Sequence, residues 1–447
     1  MQQTAGSGVH MANGYDPARS VALDPTTADL IRRRDRSLGP SYRLFYDEPI
    51  AVASASGLVL TGMDGRTYLD AYNNVPAIGH SHPAVASAVD RQLRTLNTHT
   101  RYLTEPILEY SERLLAKFPA PLERITYTCT GSEAIDLAVR IARHRTGKRG
   151  LIISEHAYHG TTVTAAGMSP SLGPNNPLGA DVVTIPSIDT ARTPAADIAD
   201  RLASSIRSAI DELNERGAGV AALVLDSIFS SDGVQASPAG FLQPAAAIIR
   251  DVDALWIADE VQPGFGRTGN WWGFQRHGIT PDLVVLGKPM GNGLPIAAVV
   301  GSLDVQAGFG AEVRYFNTFG GNPVCIAAAT AVLDVIEKDG LVEHAAVVGD
   351  QLLTGLNALV DRHDHAFHAR GAGLFGALDL GTEDRPDPAL ASRVVNSMRR
   401  AGVLISASGP DAASLKIRPP LPVTDTQCAL ILETLDAALA DEEKTTS

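Results

Sequence analysis

The chain has 447 residues, 45% of them hydrophobic and 19% charged, enough apolar material for a sizeable core and, on length, for two or more units. Its formal net charge of −13 is spread along the sequence, and no basic stripe alternates with aromatics, which argues against nucleic acid and anionic membrane as partners. The cysteines Cys129, Cys325 and Cys428 lie far apart without metal-ligand spacing, so neither a disulfide framework nor a metal site is expected, and a reducing cytoplasm fits best.

The first twenty residues are polar, with no apolar run of secretory or membrane-spanning kind, and are expected to be a loose part of an N-terminal arm at 1–40. From about residue 123 to 302, short β-rich runs alternate with helical stretches: RITYTC, GLIIS, DVVTI, ALVLD, ALWIAD, DLVVLG and IAAVVG. Near-continuous apolar strands separated by helices predict a mostly parallel sheet covered on both faces. The stretch CIAAATAVLDVIE, residues 325–337, predicts a long helix leaving that unit. Beyond it, GAGLFGALDL, GVLISAS and SLKIRPPL predict strands, interleaved with helices over ALASRVVNSMRR and QCALILETLDAALA. The expected organisation is a large unit at 96–330, a smaller discontinuous α+β unit from 41–95 and 331–440, and a flexible tail at 441–447.

Four motifs carry chemistry. In LWIADEVQPGFGRTG, residues 255–269, the G-x-G-x-x-G spacing matches a dinucleotide fingerprint. That fingerprint needs a strand, a tight turn and then a helix; here Pro263 precedes the glycines and no amphipathic helix follows. A glycine loop is the better reading, and a nicotinamide-dependent oxidoreductase is left as a remote alternative. Asp259 and Glu260 instead end a buried strand, the edge where open α/β sheets place ligands. A plain salt bridge or helix cap would also account for them. Lys288, in PDLVVLGKPMGNGLP, ends another strand; desolvated, its amine becomes a nucleophile able to form a Schiff base, although a snorkelling surface lysine is commoner. Thr130, Gly131, Ser132 and Glu133 have capping-box spacing between a strand and a helix, which is either an anion site at a helix N-terminus or a plain capped helix. Tyr158 and His159 follow the strand GLIIS, where an aromatic can stack on a planar ring. His156 with His159, and His80 with His82, lack a third metal ligand and read as turn residues. An anion cradle, a stacking aromatic, a buried acid and an amine at neighbouring strand ends are together what pyridoxal 5'-phosphate requires.

The blocks TGSEAIDLAVRIAR, HAYHG, IADEVQPGFGRTG, PDLVVLGKPMGNGLP and NTFGGNP resemble the successive signatures of class III pyridoxal-phosphate aminotransferases. DGRTYLDAYNNVPAIGHSHP resembles the family's N-terminal block and LKIRPPL its C-terminal one. The resemblance implies a fold-type-I α/β transferase, a homodimer with shared active sites. It implies Lys288 as the Schiff-base lysine, Asp259 as partner of the pyridinium nitrogen, and Gly131 with Ser132 on the phosphate. Tyr158 and Val261 would cover the two ring faces, His159 and Gln262 would lie beside the ring, and Thr318 would reach the neighbouring subunit's phosphate. Two positions depart from the family pattern. Asp226-Ser227 stands where most members have Glu-Pro, and the substrate carboxylate has three candidate cations, Lys416, Arg418 and Arg101. YNNV, LNTHTRYL, GKPMGNG and YFNTFGGNP look like the branch that contains ethanolamine-phosphate phospholyase. The expected function is ping-pong transamination between an amine or amino acid and a keto acid, with elimination of phosphate from a phosphoamine, or another pyridoxal-phosphate lyase, racemase or decarboxylase activity, as the alternative.

Overall fold

Each apolar run between residues 123 and 302 is a strand in the computed structural model, which describes residues 13–18 and 23–446; the rest of the expected arm and the last residue lie outside that range. The strands, in chain order, are β1 (Val52–Ser56), β2 (Val59–Gly62), β3 (Thr67–Asp70), β4 (Arg124–Thr128), β5 (Gly150–Ser154), β6 (Val182–Ile185), β7 (Val220–Asp226), β8 (Leu255–Asp259), β9 (Leu283–Leu286) and β10 (Ala297–Gly301). The C-terminal part adds β11 (Ala366–Gly371), β12 (Gly376–Thr382), β13 (Arg385–Pro386), β14 (Val403–Leu404), β15 (Ser406–Ser408) and β16 (Ser414–Ile417). The helices are α1 (Pro25–Ser37), α2 (Pro83–Leu93), α3 (Glu105–Leu115), α4 (Gly131–Thr146), α5 (Val163–Ala166), α6 (Ile198–Glu215), α7 (Gln243–Asp251), α8 (Leu303–Glu312), α9 (Pro323–Lys338), α10 (Leu341–Arg362), α11 (Pro388–Arg400) and α12 (Asp425–Thr446).

The central sheet has seven strands in the order β4-β10-β9-β8-β7-β5-β6. Five run parallel from β9 to β6, while β10 is antiparallel to both β9 and β4. Side-chain alternation distributes each strand between two cores. Ala222 and Val224 of β7, Ile257 of β8 and Val285 of β9 pack with Ile135, Ala138 and Ile141 of α4. Leu223, Leu225, Ala258 and Val284 face the other way, onto Ile206 and Ile210 of α6 and Ile249 of α7. Burying each such Leu, Ile or Val contributes about 1.5–3 kcal/mol, which makes the strand registers hard to slip. The same alternation carries Asp226 and Asp259 to the α4 side, and they stand opposite one another in the β7–β8 register.

The smaller sheets differ from the expected strands in two places. GVLISAS is not one strand: β14 pairs parallel with β3 in the sheet β1-β2-β3-β14, and after Ile405 the chain enters β15 in the sheet β11-β12-β16-β15. Within GAGLFG, residues 372–375 form the tight hairpin between β11 and β12 rather than strand. The polar residues expected to form a tail from 441 onward continue α12 as far as Thr446. Arg393 of α11 reaches Glu442 at 2.6 Å, and His363 reaches Glu443 at 3.0 Å, so the last turns have partners that hydropathy alone does not reveal. Among the described residues no helix is long and apolar enough to cross a membrane.

Candidate active site

The C-terminal edges of β7, β8 and β9 and the N-terminus of α4 converge on one cavity of about 170 Å³. It is lined by Gly131, Ser132, Tyr158, His159, Gly160, Asp226, Asp259, Val261, Gln262 and Lys288. Nine of these ten positions are expected from sequence; Gly160 is the addition.

The anion end is built by capping. Thr130 is the N-cap of α4 and its hydroxyl accepts from the Glu133 amide at 3.2 Å, while the Glu133 carboxylate accepts from the Cys129 amide at 2.7 Å. The first amides of a helix have no carbonyl one turn earlier to bond, so those of Gly131 and Ser132 remain as donors at the positive end of a 16-residue helix. The Thr161 amide donates to Ser132 Oγ at 3.0 Å, which brings the loop after β5 over the cradle. That approach needs a glycine at 160. Its φ is +137°, and a Cβ there would lie 2.3 Å from Ser132 Oγ.

The acid end is built by pairing. Asp259 Oδ2 lies 2.7 Å from His159 Nδ1, and its Oδ1 accepts from the Val261 amide at 3.1 Å. The His159 amide is itself held by Ser169 Oγ at 2.8 Å. Asp226 receives the amides of Ile228 at 2.9 Å and Ser230 at 3.1 Å, together with the Ser230 hydroxyl. Burial, with the neighbouring Asp259 charge adding to it, pushes the Asp226 carboxyl up to about 6 against these donors.

Lys288 follows β9 and opens a short 3₁₀ turn, Lys288–Gly291, with a strained φ of +27°. Burial lowers its pKa and the Asp259 charge opposes that shift, so its amine sits nearer neutrality than a surface lysine. Val261 fills the floor: a Cβ at Gly131 would come within 3.2 Å of Val261 Cγ2. The donor set suits pyridoxal phosphate, with helix amides and a hydroxyl for a phosphate, a fixed carboxylate for a ring nitrogen and an amine of depressed pKa for an aldehyde.

Gln262, Arg418 and Lys416, named from sequence, are tied into a second layer whose hydrogen bonds no motif reveals. Gln262 donates to Ser230 Oγ, and its Oε1 accepts from Asn74 Nδ2 at 3.3 Å and from Arg418 Nη1. Arg418 also donates through Nε to the Tyr72 carbonyl at 2.7 Å, with its guanidinium 4.9 Å from the Tyr72 ring centroid. Lys416 is buried on the same strand end with its Nζ 5.8 Å from the Phe375 ring centroid; burial and Arg418 push its pKa well below the ordinary lysine value. Neither Lys416 nor Arg418 has a carboxylate salt-bridge partner among the described residues. Arg101 and Thr318 lie outside the cavity on the surface of the single chain, where Arg101 stacks over Phe316 at 3.8 Å.

The glycines of GFGRTG belong to a turn run with no following α-helix. Arg267 within it is buried and donates to the carbonyls of Leu374, at 3.0 Å, and Pro419, tying this loop to the C-terminal segment. Glu260, beside Asp259, accepts from the Gly273 amide at 2.7 Å, the Phe274 amide at 3.0 Å and the Ser227 hydroxyl. It is therefore a loop clamp, and burial outweighs those donors to push its carboxyl up from 4.5 to about 7. A raised folded pKa means that the folded state holds a proton the unfolded chain releases. Glu260's contribution to stability is thus full below about pH 4.5 and lost as pH rises through about 7. Glu260→Gln cannot ionise, so urea melts across that window are expected to show a flatter pH slope for the variant; an unchanged slope would refute the assignment.

Residues 45–439 match the family described as aminotransferase class-III. An alanine–glyoxylate aminotransferase 2-like protein of Drosophila melanogaster is 37% identical over 411 residues, 88% of this chain and 83% of the relative. Ethanolamine-phosphate phospho-lyase homolog 1 of Caenorhabditis elegans is 34% identical over 447 residues, 94% of this chain and 95% of that protein. A solved phospholyase from Arthrobacter, in complex with phosphoethanolamine, is 41% identical with a TM-score of 0.90, covering 92% of this chain and 99% of that one.

Proposed function

This chain belongs to the class-III aminotransferases, which are pyridoxal-phosphate-dependent, and we propose that it moves an amino group between an amine or amino acid and a keto acid using Lys288 and Asp259 as its central pair. The observation that carries the assignment is the convergence of Lys288, Asp259 and the α4 N-terminus on one cavity. The cofactor, when bound, supplies an aldehyde for the substrate amine and a ring that accepts the electron pair of the broken Cα–H bond. The chain's residues do the rest. Gly131 and Ser132 would hold the phosphate by amides and a hydroxyl. Asp259, oriented by His159 and the Val261 amide, would keep a proton on the ring nitrogen. Tyr158 and Val261 would cover the ring faces, and Gln262 would lie at the ring's edge. The Lys288 amine takes the proton from substrate Cα, and its depressed pKa keeps a neutral fraction available for that transfer.

The same reading extends to assembly and organisation. Leu103 is 98% exposed, and Tyr102, Phe316 and Phe319 are also exposed nearby in sequence to Arg101 and Thr318. We propose that this apolar surface is the homodimer interface, with Thr318 and Arg101 completing the neighbouring subunit's site. Residues 96–330 would form the cofactor-binding unit and 41–95 with 331–440 the smaller one. The three free cysteines fit a cytoplasmic setting.

A second reading, phosphate elimination from a phosphoamine, is favoured by a specific observation. Arg418, bonded to Gln262, and Lys416 are two buried basic side chains without a carboxylate salt-bridge partner among the described residues, and a phosphate dianion would hold both in their charged forms. The Arthrobacter neighbour bound to phosphoethanolamine adds to this. One assay separates the readings. Holoenzyme incubated with amines, amino acids and phosphoethanolamine, with and without pyruvate, is expected to consume amine only with the keto acid and to release no phosphate. Phosphate and ammonia released without pyruvate would overturn transamination as the main reaction.

A further inference from the structure

We propose that His363, His365 and Glu443 form a zinc-type metal site that clasps the last turn of α12 to the connection between α10 and β11. None of the three lines the cavity that holds Lys288. His363 is the C-cap of α10, and the Ala366 amide bonds back to the His363 carbonyl at 3.0 Å. That tight turn brings the rings of His363 and His365 to 5.8 Å between centroids. Glu443 comes from the other end of the sequence, two helical turns beyond Asp436 and on the same face of α12.

The geometry is that of ligands around a point. Glu443 Oε1 lies 3.0 Å from His363 Nδ1 and 3.6 Å from His365 Nδ1. Ligand atoms from all three residues lie within 4.8 Å of one another. With nitrogen and oxygen ligands about 2.0–2.1 Å from zinc, the edges of a tetrahedral site are roughly 3.3 Å long, between the two measured separations.

Asp436 Oδ1 lies 2.7 Å from His363 Nε2, which leaves Nδ1 on the side of the Glu443 carboxylate. A carboxylate on the far nitrogen is also how metal-bound histidines are commonly oriented. His365 Nε2 is buried without a hydrogen-bond partner, so no competing bond holds that ring away from the site. Two imidazoles and one carboxylate favour zinc over calcium or magnesium, which take mainly oxygen ligands. Glu443 is the most exposed of the three, at 40%, which leaves a path from solvent and room for water as a fourth ligand.

The test uses the full-length, cofactor-loaded chain, treated with chelator and dialysed, then titrated with zinc chloride by calorimetry. One equivalent per chain is expected, together with a higher melting temperature. His365→Ala and Glu443→Gln should each weaken binding at least about tenfold and remove the melting shift, while circular dichroism stays unchanged. Neither residue belongs to the proposed catalytic set, so transamination without added zinc should be unaffected by either change. Failure of wild type to bind zinc, or binding that both variants retain, would overturn the proposal, with a proton shared between His363 and Glu443 as the remaining account. Neither result depends on which amine the enzyme uses.

Discussion

Replacing Lys288 with alanine is expected to lower the rate of amino transfer by at least about 10⁴-fold while leaving the fold intact. The amine occupies a position no other side chain of the cavity can fill. Asp226 and Asp259 are acids, and His159 is engaged with Asp259 through Nδ1. Arginine at 288 would fare no better, because a guanidinium stays protonated and cannot accept the Cα proton. The measurement is single-turnover consumption of an amine by cofactor-loaded enzyme. Added methylamine, small enough to enter the vacated space, should restore part of the rate in Lys288→Ala and none in wild type. A variant within tenfold of wild type would remove Lys288 from the mechanism.

Asp259→Asn should cost about 10³-fold in kcat, close to 4 kcal/mol, although the amide has nearly the shape of the carboxylate. The Asn oxygen can still accept from the Val261 amide, so the loop after β8 should hold. The charge is lost, and with it the preference for a protonated ring nitrogen, and an NH2 group replaces the oxygen that faces His159 Nδ1. Asp259→Glu keeps the charge but displaces it by a methylene, and it should lie between wild type and Asn. An Asn variant as active as wild type would mean that ring protonation is supplied elsewhere.

Sequence patterning made the central sheet legible, because its strands are uninterrupted apolar runs bounded by turn residues. Alternation within β7 and β8 also accounts for Asp226 and Asp259 arriving on the α4 side. Four features were not legible, each for a physical reason. The link from Gln262 through Arg418 to the Tyr72 carbonyl joins positions 346 residues apart, and no local period encodes it. The break at Ile405 reads as continuous strand because no glycine or proline interrupts residues 403–408; only the partners differ. Gly160 is required by the position of Ser132 Oγ, which is a tertiary fact. The end of α12 looked like a tail because its stabilisers are polar side chains on α11 and at the end of α10, far from it in sequence.

The side chains proposed to handle the cofactor within one subunit all come from 131–288, whereas the buried cations at 416 and 418 come from the far end of the polypeptide. Arg418 is held there by main-chain carbonyls at Tyr72, through Nε, and at Ala71, through its own amide. If Lys416 and Arg418 meet the substrate as proposed, reaction type and choice of amine would be set by separate stretches of the gene, and variation around 72 or 416–418 would retune what is accepted while leaving the bond-breaking apparatus as it was.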